Sequence, residues 1–221
     1  MRHIFLETNW LIALAAPAHD PPPAAAELLE FARDGRIRIY LPACCIGEAK
    51  KTIRLKFQPK EADRLRSFVR SAVEQNILDQ NTAESARTML TSFQWHVTSE
   101  LERLTEKLHD IAHSAGVEIL RSDDAVLDMS VELHFKEIDL SEFDRVILAA
   151  VLTKGRSLSG DGETDVNFCE LDSDLWPWEK RNRNVRAELK KLYDDAGVWV
   201  YSDFTLTNPE RPEGFGQTIR N

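Results

Sequence analysis

Residues 4–42 constrain the fold of this chain more than any other stretch. Ile4, Phe5 and Leu6 form an apolar run with the length of a short buried strand. NWLIALAAPA reads as a short helix directly after it. HDPPPAAAELLEFARDG then carries the marks of a second helix: Asp20 as N-cap, prolines in the first turn, Leu28, Leu29 and Ala32 at apolar positions, and Gly35 as the stop. RIRIYLP, Arg36 to Pro42, alternates as a strand does. Strand, helix and strand in this order make a βαβ unit, whose handedness lays the two strands parallel.

Beyond Pro42 the pattern turns helical. ACCIGEAKKTIRLKF, PKEADRLRSFVRSAVEQN and AESARTMLTSFQWHVTSELERLTEKLHDIAHSAG are charged and helically periodic, and the last two predict an antiparallel helical pair. From Val117 the strand and helix rhythm resumes. VEIL is a strand, Ala125 to Phe135 a helix, LSEFDRVILAAVLTKG a strongly apolar helix, and DVNFCELDSDL a buried strand ending in acids. RNRNVRAELKKLYDDAG reads as a basic helix and GVWVYSDF as the last strand. The expected fold is α/β: three layers, α/β/α, around a mostly parallel sheet, with the helical pair inserted over about residues 58–116. Residues 1–207 are read as one domain and 208–221 as a flexible tail.

Composition narrows the class of function. The 221 residues are 43% hydrophobic, enough for a real core. Lys and Arg number 28 against 37 Asp and Glu, a formal net charge of −9, which argues against a broad grip on phosphate backbones and leaves nucleic-acid contact to local patches or a bridging metal. Cys44, Cys45 and Cys169 fit neither a disulfide framework nor a zinc site, so a reducing cytoplasm is expected. MRH and Ala16-Pro17-Ala18 imitate a signal peptide, but Glu7, Thr8 and Asn9 interrupt its apolar region. No segment approaches the roughly 18 apolar residues of a membrane span.

In an open parallel sheet, ligands gather beyond the carboxyl ends of the strands. Glu7 ends the first strand, Glu48 follows the second, Asp144 opens the apolar helix, and Asp172 and Asp174 end the strand before LWPW. Carboxylates brought together repel one another and are costly to bury without a cation. Oxygen ligands without His or Cys suit Mg²⁺ or Mn²⁺.

IFLETNWLI, EAKKTI, FDRVILAAVL and LDSDL resemble, in order, the four acidic motifs of PIN-domain nucleases. The resemblance covers residues 1 to about 57 and about 117 to 204. It implies a metal-dependent ribonuclease in which Glu7 and Asp172 hold the ion directly, Asp144 helps hold it or a second one, and Glu48 ligates through water or orients the attacking water. Asp174 is then a supporting ligand, and Thr8 and Asn9 fix the loop after the first strand. Glu7 stands where the family usually has Asp, and Glu170 where it usually has Thr or Ser. A toxin of a toxin–antitoxin pair, with an antitoxin protein as partner, and a homodimer are further expectations. The alternative is a PIN-like scaffold that binds RNA or a protein without cutting; a structure-specific DNA nuclease on the same fold lacks a helical-arch signal.

Each acid also has a plain structural role open to it. Ser141 and Asp144 match a capping box, Glu48 can face Lys51 or Thr52 along its helix, and Glu7 can cap the next helix. Lys50, Lys51, Arg54 and Lys56 follow Glu48, and Lys180, Arg181, Arg183 and Arg186 follow Asp174; they are candidates to hold an RNA backbone or are ordinary solvated charges. Trp176 and Trp178 either stack bases or pack a loop. Asp172-Ser173-Asp174 is also similar to the D-x-D of haloacid-dehalogenase-like phosphatases, but lies too late in the chain. His109 and His113 have the i, i+4 spacing of a zinc protease pair, but Asp110 stands where that motif has Glu.

Overall fold

The computed structural model describes residues 1–17, 21–57, 60–136, 138–181 and 184–206. Its sheet has five strands, all parallel, in the order β3-β2-β1-β4-β5: β1 is Arg2–Phe5, β2 Ile37–Pro42, β3 Val117–Leu120, β4 Val166–Cys169 and β5 Trp199–Tyr201. β1 lies at the centre, with Phe5 level with Tyr40 of β2 on one side and Phe168 of β4 on the other. Ile4, Phe5 and Leu6 are fully buried and all four residues of β4 are buried, as expected of central parallel strands covered on both faces.

The eight α-helices described fall into two groups. α1 (Thr8–Ala15), α2 (Pro23–Arg33), α3 (Ala43–Lys56) and α5 (Gln80–Ala112) pack on one another, while α6 (Asp124–Phe135), α7 (Glu142–Gly160) and α8 (Ala187–Ala196) pack together. This is the arrangement of a three-layer α/β/α fold. α4 (Lys60–Glu74) packs on α5 alone among the principal helix contacts. α5 is 33 residues long, about 50 Å of helix, and its main-core packing through Leu101, Leu104, Leu108 and Ile111 comes only from its second half.

Local chemistry accounts for most boundaries. Gly35 ends α2 with φ +70°, the left-handed conformation that glycine adopts freely. α2 itself starts later than expected: Pro22 is its N-cap, without a side-chain cap bond, and Asp20 lies outside the described residues. Gly116, just before β3, has φ +79°, and a Cβ there would stand 2.2 Å from the Ala32 carbonyl oxygen. Ser141 caps α7 as expected.

α8 is shorter than its basic sequence predicts. Glu179 N donates to the Asn184 carbonyl (2.8 Å), Trp178 bridges Val185, and Arg186 N donates to the Pro177 carbonyl (2.9 Å). These bonds tie the segment before Ala187 back to the Trp loop, so its backbone is committed elsewhere. All three cysteines are free thiols, and no helix among the described residues is long and apolar enough to cross a membrane.

Candidate functional site

Strand order reverses between β1 and β4: the chain steps outward from β1 through β2 to β3, then returns to the other side of β1. At such a switch point the loops leaving the two strands turn to opposite faces and leave a crevice beyond the carboxyl ends. Phe5 and Phe168 are level across it, and Glu7 and Glu170 each lie two residues further on. Parallel neighbours are about 4.8 Å apart, so the register brings these two carboxyl-bearing residues side by side.

Both are deeply buried, Glu7 at 3% exposure and Glu170 at 1%. Glu7 is the N-cap of α1, its Oε2 accepting from Asn9 N at 2.7 Å, so the capping role is real. Capping uses one oxygen only. Glu7 Oε1 is buried with no hydrogen-bond partner among the described residues. Burial pushes the Glu7 pKa up to about 8; the nearby charges of Glu48 and Asp172 add to this, against hydrogen bonds from Asn9.

Glu170 accepts at Oε1 from Asp172 N (2.6 Å), and its carbonyl accepts from Trp176 Nε1 (2.7 Å). Burial, then the charges of Glu7, Asp172 and Asp144, push it up to about 10, with the Asp172 N–H opposing. Without a counter-charge, Glu170 is neutral at pH 7 and Glu7 mostly so.

Around this buried pair stand the less buried acids. Glu48, half-buried on α3, accepts at Oε2 from Thr8 Oγ1 at 2.5 Å; its partner is thus the first residue of α1, not Lys51 or Thr52 on its own helix. Asp144 N donates to Ser141 Oγ (3.1 Å) and Ser141 Oγ donates to Asp144 Oδ2 (2.6 Å), so Ser141 does the capping and the carboxylate of Asp144 is held by the serine hydroxyl, not by its backbone N–H as in a capping box. Asp172 is exposed and caps the 3₁₀ turn Ser173–Leu175 through Asp174 N (3.2 Å). Asp174 is exposed as well, its carbonyl accepting from Arg186 Nη1 (2.6 Å).

Glu7, Glu48, Asp144 and Asp172 therefore share one electrostatic neighbourhood with Glu170. They do not close into a preformed cage: among the described residues no three His, Cys, Asp or Glu side chains are grouped so as to hold a metal ion. Glu170 is the residue that sequence reasoning missed, having been assigned to a family position rather than to a strand end. The signal was present, since IFLE and NFCE both place Glu after a buried apolar run.

The cations are less closely bound to the site. Lys51 and Arg54 on α3 are exposed and Lys50 is half-buried; Lys180 and Arg181 are exposed, and Arg183 lies outside the described residues. None of those described pairs with Glu7, Glu48, Asp144, Glu170 or Asp172 among the described residues. Arg186 is a structural clamp, its Nη1 donating to the Asp174 and Trp176 carbonyls. Trp176 stacks on the buried Trp178 with ring centroids 5.6 Å apart, so the Trp pair packs its loop. His109 and His113 stack on each other at the exposed end of α5.

Fold and site together define an α/β protein with an all-parallel sheet and a group of acids at its switch point. Comparison with protein-family models, curated proteins and solved structures finds no match to this chain.

Proposed function

We propose that the chain is a metal-dependent ribonuclease of the PIN type, working with Mg²⁺ or Mn²⁺ at the β1/β4 crevice. The observation that carries this reading is Glu7 Oε1, a buried carboxyl oxygen with no hydrogen-bond partner among the described residues, beside a second buried carboxyl group on Glu170. A buried polar atom left unsatisfied is costly, and two buried acids that burial holds neutral are a poor arrangement unless a cation joins them. The donor set is all oxygen, which fits a hard divalent ion. Glu7, Glu170 and Asp172 would hold it, with Asp144 and Asp174 in support. A bound ion supplies positive charge to a phosphodiester and makes water more acidic.

The chain's own side chains have separate tasks in this reading. Thr8 holds one oxygen of Glu48, leaving Glu48 Oε1 to orient a water or take its proton. Ser141 fixes the Asp144 carboxylate at the mouth of α7. Asn9 N keeps Glu7 Oε2 in place so that Oε1 is the oxygen presented. Lys51, Lys180 and Arg181, exposed to solvent, are free to contact RNA phosphates. A toxin role with an antitoxin partner rests on the motif resemblance alone.

A second reading, a PIN-like module that binds RNA or a protein without cutting, is supported by the absence of a closed ligand group among the described residues. One experiment separates the two: cleavage of labelled single-stranded RNA by the purified chain with Mn²⁺, with EDTA, and with Glu7→Gln and Asp144→Asn variants. Metal-dependent cutting lost in both variants supports the nuclease. Absence of cutting together with absence of Mn²⁺ binding by calorimetry refutes it.

A further inference from the structure

Away from the crevice, α4 and the first half of α5 form a hairpin. The chain reverses through residues 75–79, and Arg66 on the outgoing helix reaches Thr91 Oγ1 on the returning one at 3.4 Å. Its seam is thin. Val69, Ala83 and Leu90, with Val73 and Ala86 packed against them, make a small cluster separate from the main core.

The hairpin has a second apolar surface that faces solvent. Phe68 and Met89 each come one residue before a seam residue, Val69 and Leu90, and in helices running in opposite directions such residues lie on the same side. Leu65, three residues before Phe68, and Phe93, four after Met89, extend that side along each helix. Their exposures are 50% for Leu65, 67% for Phe68, 66% for Met89 and 56% for Phe93. The opposite side carries Arg66, with Arg70 and Arg87 in line with it.

We propose that the face formed by Leu65, Phe68, Met89 and Phe93 docks against the same face of a second copy of this chain, two hairpins closing into a four-helix bundle. Three features favour a copy over another partner. The four side chains expose about 500 Å² per chain, toward the upper end of the roughly 300–600 Å² that the largest apolar patch of a monomer covers. Doubled by two-fold symmetry, this reaches about 1,000 Å², the threshold of a specific interface, before flanking Thr82, Ser85 and Ser92 are counted.

Charge points the same way. From Thr88 to Ser99 the chain has no Asp, Glu, Lys or Arg, so this face can meet itself although each copy carries a formal charge of −9. On α4 the exposed Arg64 flanks the patch, four residues before Phe68, so the uncharged part of the face is its α5 side. Finally, pairing gives the hairpin the second apolar seam that its own five-residue cluster lacks. This inference is independent of the nuclease reading.

Sedimentation velocity of the full chain across the micromolar range tests it. The wild type is expected to sediment as a dimer, and Phe68→Glu and Phe93→Glu as monomers with unchanged far-ultraviolet helix signal. Leu127→Ser, an exposed apolar residue on α6 away from the hairpin, should remain dimeric. A wild type that stays monomeric, or a dimer that survives both glutamates, overturns the proposal. Should a glutamate variant lose helicity, hydrogen exchange on the wild type decides: docking slows exchange over residues 64–72 and 85–96 as concentration rises, and unchanged exchange there overturns it.

Discussion

Replacing Glu7 by glutamine should change how stability depends on pH in the metal-free protein. Glu7 has an ordinary pKa of 4.5, raised to about 8 in the fold, first by burial and then by Glu48 and Asp172. Between those values the folded chain keeps a proton that the unfolded chain has released. The folded state then binds more protons than the unfolded one, so stability falls as pH rises through this window. From pH 5 to pH 8 the wild type loses about 3 kcal/mol through this one group. The glutamine side chain of Glu7→Gln does not titrate and escapes that loss.

Glu170 is pushed to about 10 partly by the charge of Glu7; in Glu7→Gln that push is gone, and any earlier ionisation of Glu170 lessens the variant's own loss with pH, which widens the gap and does not close it. The glutamine leaves an amide where Oε1 had no partner, an offset of about 1–3 kcal/mol against the variant that is the same at every pH. The readout is therefore the change in the stability gap. Urea unfolding in EDTA should show Glu7→Gln gaining about 3 kcal/mol on the wild type between pH 5 and pH 8. Parallel pH profiles for the two proteins would refute the claim that a buried, cation-free carboxyl group sits at the end of β1.

Further outcomes follow from the same structure. Mn²⁺ at 100 times its Kd should stabilise the wild type by about 2.7 kcal/mol in thermal melts, and Asp172→Asn should reduce that gain; equal melting temperatures with Mn²⁺ and EDTA would count against the metal site. Ser141→Ala should cost about 1 kcal/mol in denaturant unfolding by removing the cap of α7, and it frees the Asp144 carboxylate of its hydroxyl partner. Gly116→Ala should destabilise by more than about 1 kcal/mol, since φ +79° and the Ala32 carbonyl both exclude a methyl group; a neutral result would mean that the backbone shifts there freely. Leu104→Ala, in the fully buried part of α5, should cost about 2–5 kcal/mol in the same denaturant assay.

Much of the secondary structure was legible because it is written in local patterns. RIRIYLP and VEIL became β2 and β3, Gly35 ended α2, and Ser141 capped α7, each through forces acting over a few residues. The acids at strand ends were legible for the same reason: polar residues break apolar runs where strands leave the core. Pro22 as the start of α2 and Ala187 as the start of α8 were not, the latter because backbone bonds to the Trp loop outbid the helical pattern of the basic segment.

The lateral order of the strands is a different kind of property. β1 and β4 pair residues more than 160 positions apart, and no local preference specifies that neighbour or its register. From sequence alone, Glu170 was one more acid in the run ELDSD. Only the pairing of Phe5 with Phe168 sets it beside Glu7, buries both and raises both pKa values. The residues carry the carboxyl groups, but their chemistry comes from desolvation and mutual charge, and both depend on which strand ends the tertiary structure brings together.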